Sequence, residues 1–519
     1  MTAKNRYDVL AGKRSQYLNI AKQASELTIP YLVHEDDNTT GPRKLVTPWQ
    51  SVGAKGVVTL AAKLMLSLLP PQTSFFKLQV DESKLTEAGV GPEIKSELDL
   101  VFAKVERTIL EQIAASDDRV AVHQAMKHLV VSGNALIFMG KEGLKLFPLN
   151  RYVINRDGNG NVIEIVTKEI INKKIIEKLV PDLMKEDVNR YNDEDSNDCD
   201  VYTHVTIKDK RVHWHQEVYD KIIPKSISKA PLSVTPWLPL RFNTVDGEDY
   251  GRGRVEEFMG DLKSLEALSQ ALVEGSAAAA KVVFTVSPSA STKPATLAAA
   301  GNGAIIQGRP EDIGVVQVQK GNDFQTAFAA AGTLEKRLSE AFLILNVRQS
   351  ERTTAEEVRM TQMELEQQLG GLFSLLTVEF LVPYLDRKLS VLTKDRTIPP
   401  IPKEIVKPTI VAGINALGRG QDRESLGMFL QTIAQTMGPE ALQQFINPDE
   451  VIKRLAAASG IDVLNLVKSM QEIQGQQQQQ MQQQMVLQEQ QNAPAMAAVE
   501  QKQMQAEMQM AQQAQQPPG

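Results

Sequence analysis

The chain has 519 residues, with 57 Lys plus Arg against 63 Asp plus Glu, so its formal charge at neutral pH is −6. Charged residues make up 23% and hydrophobic residues 42%, which excludes a mainly disordered chain or a fibrous repeat. A single cysteine, Cys199, excludes an internal disulfide framework and suits a reducing compartment.

The N-terminus is basic and polar and carries no apolar core or cleavage site of a signal peptide. The most apolar stretch, Leu369–Val382, contains Glu379 and is shorter than the roughly 20 residues that span a membrane. We therefore expect a soluble protein.

The first 135 residues have the apolar spacing of helices. This spacing predicts helices over Val52–Leu69 and Glu93–Ala115, and a third that Asp117 or Asp118 caps and that runs to Val131. The period then changes to that of short strands. The sequence predicts a hairpin with its turn at residues 157–160 and a second one formed by residues 201–219, which together make a small antiparallel sheet.

A long helix is predicted from Arg254 to Lys281, about 40 Å at 1.5 Å per residue. Residues 282–322 interrupt it with two β-prone runs separated by Ser, Pro and Gly. A second helix, Phe324–Leu345, is long enough to return antiparallel to the first. Helix, compact insert and returning helix form the most distinctive predicted feature.

The polar segment Asn346–Thr354 is predicted to be a loop, and a helix follows from Ala355 to about Leu392, bent or broken at Gly370-Gly371 and at Pro383. Prolines at 399, 400 and 402 indicate a boundary, followed by short helices over Gln421–Ser469. The last 49 residues contain 21 Gln and six Met. They form either a disordered tail, which we expect for an isolated chain, or a weak helix that needs neighbouring copies.

Two segments resemble a phosphate-binding loop and a calcium loop, but both lack residues that these sites require. Gly303 and Gly308 have the spacing of a phosphate-binding loop, but Arg309-Pro310 follows where Lys and Ser/Thr are needed. Asp157, Asn159 and Asn161 imitate the start of a calcium loop without its Gly and bidentate Glu, so a hairpin turn is favoured.

His213 and His215 lie on one face of a predicted strand, with His204 on its partner, so they form either a metal site or a polar sheet face. We favour the polar face and expect no metal and no cofactor.

Cys199 lies between two aspartates, which raise the pKa of its thiol and make it a poor nucleophile. The acidic composition gives no sign of tight DNA binding. The residues alone thus predict a mainly α protein with a small antiparallel β region, in a structural or assembly role.

Several strings, in this order, carry a resemblance: SGNALIF from Ser132, GEDYGRGRVEEFMGDLKSLEAL from Gly247, EGSAAAAKV from Glu274, AAAGNGAIIQGRPEDI from Ala298 and RQSERTTAEEVRM from Arg348. Together with the Gln-rich C-terminus they resemble the portal, or head-to-tail connector, proteins of T7-like short-tailed bacteriophages. The resemblance covers nearly the whole chain, and its strength comes from length and order, because these strings are not catalytic signatures.

The resemblance implies a non-enzymatic ring, generally of twelve subunits, at one capsid vertex of the virion, assembled in the host cytoplasm. Double-stranded DNA would pass through it without sequence-specific contacts. The implied partners are the major capsid and scaffolding proteins, the terminase motor, the tail adaptor and internal core proteins, with no membrane.

The resemblance also assigns the segments of the portal fold. These are the wing (1–252), the first stem helix (253–281), the clip (282–322), the second stem helix (323–345), the tunnel loop (346–354), a long bent wing helix (355–398), the crown (399–470) and a C-terminal barrel helix or tail (471–519).

Two groups of site residues follow from this assignment. The expected DNA contacts of the tunnel loop are Arg348 and Arg352, with Gln349, Ser350 and Thr353 as uncharged neighbours; alternatively, the arginines pair with carboxylates of the loop. The clip residues expected to dock the terminase and adaptor are Pro288, Lys293, Asn302 and Arg309. The rival interpretations are another head-tail assembly protein, such as an adaptor or scaffold, and a metal-dependent nuclease that uses the histidines near His213.

Overall fold

The computed structural model describes residues 2–34, 45–71, 74–80, 92–179, 198–279, 283–301, 303–316, 321–344, 369–399, 406–410, 419–438, 446, 448, 451–452 and 503–508. The chain divides into two compact units, Met1–Leu417 and Gly418–Gly519. The core, the sheets and the helical hairpin all belong to the first unit. The second unit includes a helix over Arg419–Met437.

Helices dominate the N-terminal part, as the apolar spacing predicts. They are α1 (Ala3–Glu26), α2 (Val52–Leu68), α3 (Pro92–Ala115) and α4 (Asp118–Ser132). Helix α4 lies at the centre of the core, where Val122, Met126 and Leu129 are fully buried. The sequence predicted α2, α3 and α4 to within a residue or two.

The predicted β region forms two antiparallel sheets. Strands β2 (Asn134–Met139) and β3 (Leu144–Phe147) pair with each other, and β2 also pairs with β10 (Trp237–Arg241). The larger sheet contains β4 (Tyr152–Arg156), β5 (Val162–Asn172), β6 (Asp198–Lys208), β7 (Arg211–Val218), β8 (Lys221–Ile222) and β9 (Ser228–Pro231). A short helix, α5 (Lys173–Leu179), follows β5.

Both predicted hairpin turns are confirmed. The Asp157 carboxylate accepts hydrogen bonds from the backbone N–H groups of Asn159 and Asn161, at 2.9 and 2.8 Å, so these residues form a turn and not a calcium loop. In the β6–β7 turn, Asp209 and Lys210 both have positive φ, 51° and 56°. Positive φ at two successive residues matches the right-handed twist of the flanking strands.

The long helix predicted from Arg254 is wrong in one respect, because it is broken. Helix α6 (Arg254–Glu257) ends at Phe258, whose ψ of 15° leaves the helical region, and α7 (Met259–Ala279) starts immediately after it. The returning helix, α9 (Gly321–Ala341), starts and ends earlier than predicted. Between α7 and α9 lie β11 (Val283–Val286), α8 (Pro294–Ala299) and β12 (Ile313–Val316), and the two strands pair antiparallel.

The apolar segment after residue 368 is a continuous helix, α10 (Leu369–Lys394), with a π-helical turn over Thr377–Leu381. Gly370 and Gly371 lie at the start of its described part, because the predicted helix before residue 369 lies outside the described residues. The π-helical turn ends two residues before Pro383, where a bend or break was also predicted. This helix is long and apolar enough to cross a membrane by length and composition alone, whereas the sequence predicted a shorter stretch. Tyr384 and Leu385, like other side chains of α10, are buried in the core of the first unit.

The prolines near residue 400 do not separate the two units. Strand β13 (Val406–Ile410) lies beyond them and pairs antiparallel with β1 (Phe76–Val80), and the division falls between residues 417 and 418. Most of residues 439–519 lie outside the described residues, and with them most of the predicted short helices and the Gln-rich tail. Residues 503–508 are helical.

Candidate functional site

The candidate functional site is the helical hairpin of α7 and α9 with its insert, which the sequence analysis identified as the most distinctive feature. The helices run antiparallel, because Asp261 near the start of α7 bonds Arg337 near the end of α9, with 2.9 Å between Oδ2 and Nη2. At the other end, Gly275 faces the ring of Phe324, where an added Cβ would come within 2.5 Å. Gly275 therefore allows the two helices to approach closely at the end that carries the insert.

Glycines hold the base of the hairpin against the strand that follows α4. Gly133 has φ of +72°, and a Cβ on it would lie 2.5 Å from the backbone of Arg252 and Gly253. The Asn134 side chain accepts from the Gly251 N–H at 2.7 Å and donates to the Gly251 carbonyl at 2.8 Å. The string GEDYGRGR is thus a backbone junction, which explains its glycines without any catalytic role.

Charged groups reinforce the same junction. The Arg252 guanidinium bonds Glu248 and Glu256, at 2.6 and 2.8 Å, and lies over the ring of Tyr17 on α1. Burial raises the pKa of Tyr250, whose hydroxyl accepts a hydrogen bond from the Ile154 N–H. Strand β4, helix α1 and the start of the hairpin are therefore fixed together.

Two cations bind the C-terminal end of α9. Arg254 donates to the Ala341 carbonyl, and Lys63 on α2 donates to the Leu343 carbonyl at 2.6 Å. A helix C-terminus favours positive charge because its last carbonyls lack partners within the helix. Phe342 packs on Gly56 of α2, and Leu343 has a positive φ of 56°. These contacts hold the segment that follows α9, up to Ile344, against α2.

The predicted tunnel-loop residues Arg348, Gln349, Ser350, Arg352 and Thr353 lie outside the described residues. Of the predicted docking residues, Asn302 also lies outside them, whereas Pro288, Lys293 and Arg309 are exposed on the insert. Lys293 directly precedes α8, and Arg309 precedes the turn that leads into β12. Three of the four predicted docking residues are therefore exposed on one small module, and their docking role stays a prediction.

The insert has little core of its own. Thr292 is its buried residue among those described, whereas Phe284 is 57% exposed and Ile305 fully exposed. Polar contacts maintain its shape: the Asp312 carboxylate accepts from the backbone and hydroxyl of Ser291. An isolated two-stranded hairpin is marginally stable, and the insert leaves the apolar side chains of Phe284 and Ile305 exposed to solvent.

The hairpin helices are acidic. Helices α7 and α9 together carry six acidic residues against three basic ones, while residues 283–316 carry two of each. An acidic surface repels the phosphates of nucleic acid.

Two of the three predicted histidines, His204 and His215, lie side by side in the structure, and each contacts a carboxylate. His204 and His215 are paired across β6 and β7 with their rings 5.5 Å apart, and each Nε2 contacts a carboxylate: Glu164 at 2.7 Å and Glu217 at 2.9 Å. The described residues hold no group of three or more side chains suited to a metal ion. This arrangement supports the polar sheet face.

The sequence analysis missed what this face binds, which is helix α1. The Arg6 guanidinium contacts both oxygens of Glu164, at 2.9 and 2.7 Å, and Glu217 accepts from the Ala3 N–H at 2.6 Å. Glu217 thereby satisfies one of the unpaired N–H groups at the start of α1. These partners are more than 150 residues apart, so local sequence gives no signal of the contact.

Cys199 agrees with the prediction of a poor nucleophile. Burial raises the pKa of its thiol, as do Asp200 and Asp198 to a smaller extent, while Lys173 acts in the opposite direction. The Cys199 thiol also donates to the Ile171 carbonyl.

Comparison with known proteins assigns the class. Residues 1–467 match the family described as bacteriophage head to tail connecting protein, and the chain belongs to this family. Its members are structural components of phage particles and not enzymes.

The chain is similar over most of its length to proteins of individual phages. It is 37% identical to the portal protein of Enterobacteria phage T3 and 36% identical to that of Escherichia phage T7, covering 90% and 91% of this chain and 88% and 89% of theirs. The portal protein of Pseudomonas phage phiKMV is 30% identical over 92% of this chain and 93% of its own length. The resemblance noted in the sequence is thereby confirmed.

A solved structure of the neck of an empty gene transfer agent particle is a more distant match. It has a TM-score of 0.36 and 12% identity, covering 80% of this chain and 90% of that chain.

Proposed function

We propose that the protein is the portal of a T7-like phage and forms a ring, generally of twelve copies, at one capsid vertex. Double-stranded DNA enters and leaves the head through the channel of this ring. The terminase motor docks on the ring during packaging and the tail adaptor docks afterwards. The observation that carries the proposal is the match to portal proteins over about nine-tenths of the chain, hairpin and insert included.

In this proposal each segment has a place. Helices α7 and α9 are the stem around the channel, and the insert is the clip that projects from the capsid. Residues 1–252 and the helix after Ala355 form the wing, and Asn346–Thr354 the tunnel loop. Strand β13 belongs to the wing because it pairs with β1, so the crown and barrel are the segments after residue 417. The exposure of Lys293 and Arg309 supports docking at the clip.

The charge of the hairpin supports the role of a conduit. Each phosphate that Lys or Arg neutralises adds salt-dependent affinity, which would stall DNA in transit. An acidic stem with a few arginines at the tunnel loop avoids this. Arg348 and Arg352 are the proposed transient phosphate contacts.

Electron microscopy of the purified protein tests the ring. Class averages with rotational symmetry and an open central channel are the expected result. A monomer or dimer both alone and in the presence of capsid and scaffolding proteins would overturn the proposal and favour a tail adaptor.

The tunnel loop is tested separately. Arg348→Ala with Arg352→Ala is expected to leave rings intact by microscopy while changing DNA packaging or retention. The matched control is Arg107→Ala with Lys104→Ala on the exposed face of α3. Normal packaging by the loop variant would remove these arginines from the site.

A further inference from the structure

The face of the large sheet that receives α1 continues past that helix to the β6–β7 turn. Residues paired in register on neighbouring strands share a face, which places Thr206, His213 and Lys229 in one row and Lys208 and Arg211 in the next. Ala3, Tyr7 and Leu10 of α1 cover the other part of this face, around Val166 and Tyr202. The rows nearest the turn are exposed.

The exposed part of this face is basic. Lys208, Lys210, Arg211, His213 and Lys229 are all exposed, and we call them the sheet-tip patch. Asp209, in the turn itself, is the one acidic residue in the segments 206–213 and 228–231. None of the four Lys and Arg side chains bonds a carboxylate within the part of the chain that the structure describes. This concentration of cations stands out in a chain of net charge −6.

One pair in the patch is unfavourable for folding. Lys208 lies directly opposite Arg211 across the two strands. Like charges at directly opposite positions destabilise an antiparallel pair, whereas opposite charges would stabilise it. The pair places two exposed cations side by side, so the surface there is locally positive and open to an anionic ligand.

We propose that the sheet-tip patch binds the phosphate backbone of double-stranded DNA without sequence preference, at a place separate from the helical hairpin. The side chains are spaced about 5 Å apart across strands and about 7 Å apart along a strand, so several of them reach one duplex together. Long, exposed cations without a surrounding pocket suit phosphates, which are read by charge alone.

An acidic protein segment is the other ligand that a basic patch attracts. Such a segment needs an apolar anchor at the centre of its interface. Glu164, Thr206 and Pro231 are the other residues of this face in the two rows, and Glu164 is buried and bonded to Arg6 and His204. Leu232, which is exposed, lies at the edge of the patch, where its N–H donates to the Lys210 carbonyl, so a large apolar side chain does not lie between the cations. DNA is therefore the better fit.

Fluorescence anisotropy tests the proposal with the full-length protein, a labelled duplex of mixed sequence and salt from 50 to 200 mM. The variant is Lys208→Gln, Arg211→Gln and Lys229→Gln, and the control is Lys4→Gln, Lys13→Gln and Lys104→Gln, which are also exposed. The patch variant is expected to bind more weakly at low salt, with the slope of log K against log salt smaller by about three, roughly one per cation removed. Its melting temperature should be equal or higher, since the like-charge pair is gone.

Three results would overturn the proposal: wild-type protein that does not bind the duplex at 50 mM salt, a patch variant with the slope of the control, or a patch variant that loses binding to poly-glutamate but not to DNA. A second duplex of different sequence should give the same affinity. Electron microscopy of each variant separates this proposal from that of the ring, because a variant can keep its rings and lose the DNA contact, or the reverse.

Discussion

At the scale of single residues, buried polar groups carry the clearest consequences. His128 on α4 is almost fully buried, and its Nδ1 has no hydrogen-bond partner among the described residues. Burial lowers its pKa to about 4, with a smaller contribution from Lys127. The folded protein therefore excludes a proton that the unfolded chain binds below about pH 6.5.

This shift predicts how stability depends on pH. The unfolded state binds more protons between about pH 6.5 and 4, so the contribution of His128 is complete above pH 6.5 and falls as pH drops through this window, by about 3 kcal/mol in total. His128→Leu should flatten that part of the curve. Met126→Leu, at a buried position of α4 without a titratable group, is the control and should keep the wild-type slope. The measurement is unfolding by tryptophan fluorescence, since Trp49, Trp214 and Trp237 all lie in the first unit. An equal slope in the two variants would contradict the assignment.

Gly133 gives a second prediction at this scale. Gly133→Ala forces a side chain into positive φ and against the backbone of Arg252, so we expect a loss of at least about 2 kcal/mol. Gly332→Ala is the matched control, because Gly332 lies inside α9 with open space around it. That change should stabilise the protein by about 0.5–1 kcal/mol through helix propensity. Thermal unfolding measures both variants: the melting temperature should fall for Gly133→Ala and rise for Gly332→Ala.

At the scale of elements, several polar contacts fix helix α10 in the core, and the most buried of them is made by Asp118. Asp118 at the start of α4 is fully buried, and its Oδ2 accepts from the Tyr384 hydroxyl at 2.6 Å and from Lys388 Nζ at 2.7 Å. Asp118→Ala leaves both donors without a partner and should cost about 3–5 kcal/mol. Glu111→Ala breaks an exposed pair with Arg107 and should cost less than about 1 kcal/mol. Similar denaturation midpoints for the two variants would show that the contact does not stabilise α10.

Local patterns predicted elements well and contacts between distant elements poorly. The apolar spacing of α2 and α3 and the turn residues of the two β-hairpins are local patterns in the sequence, and the structure agrees with the elements that they predicted. Asp118 shows the limit: the sequence offered it as a cap, whereas Asp117 occupies the N-cap position without a side-chain bond and Asp118 bonds α10, more than 260 residues away. The packing of α1 on Glu164 and Glu217 was missed for the same reason, because these partners are also far apart in the sequence.

The sequence analysis also missed the break between α6 and α7. At this break, the ring of Phe258 lies 6.1 Å from that of Phe342, which follows α9, and the local sequence does not show this distant contact. The predicted tunnel loop stays a prediction, because it lies outside the described residues.

At the scale of the whole molecule, the distribution of charge matters more than the net value. The cations of the sheet-tip patch and the acidic helices α7 and α9 lie on different elements of the first unit. In a ring, each local charge is repeated by every copy. A small change per chain in the hairpin is therefore multiplied in the channel that we propose.

This multiplication predicts the effect of neutralising the hairpin. Glu274→Gln, Asp323→Asn and Glu335→Gln remove three exposed acidic charges, which equals the net charge of the two helices. If the hairpin lines a DNA channel, these rings should retain duplex DNA more strongly at low salt, because less repulsion opposes the phosphates. The control is Glu111→Gln, Asp117→Asn and Glu142→Gln, which removes the same charge from exposed sites outside the hairpin. Retention is measured as DNA released from packaged particles across a salt series. Equal release by the two variants would mean that the hairpin does not face DNA, whereas slower release by the hairpin variant alone would place α7 or α9 on the channel wall.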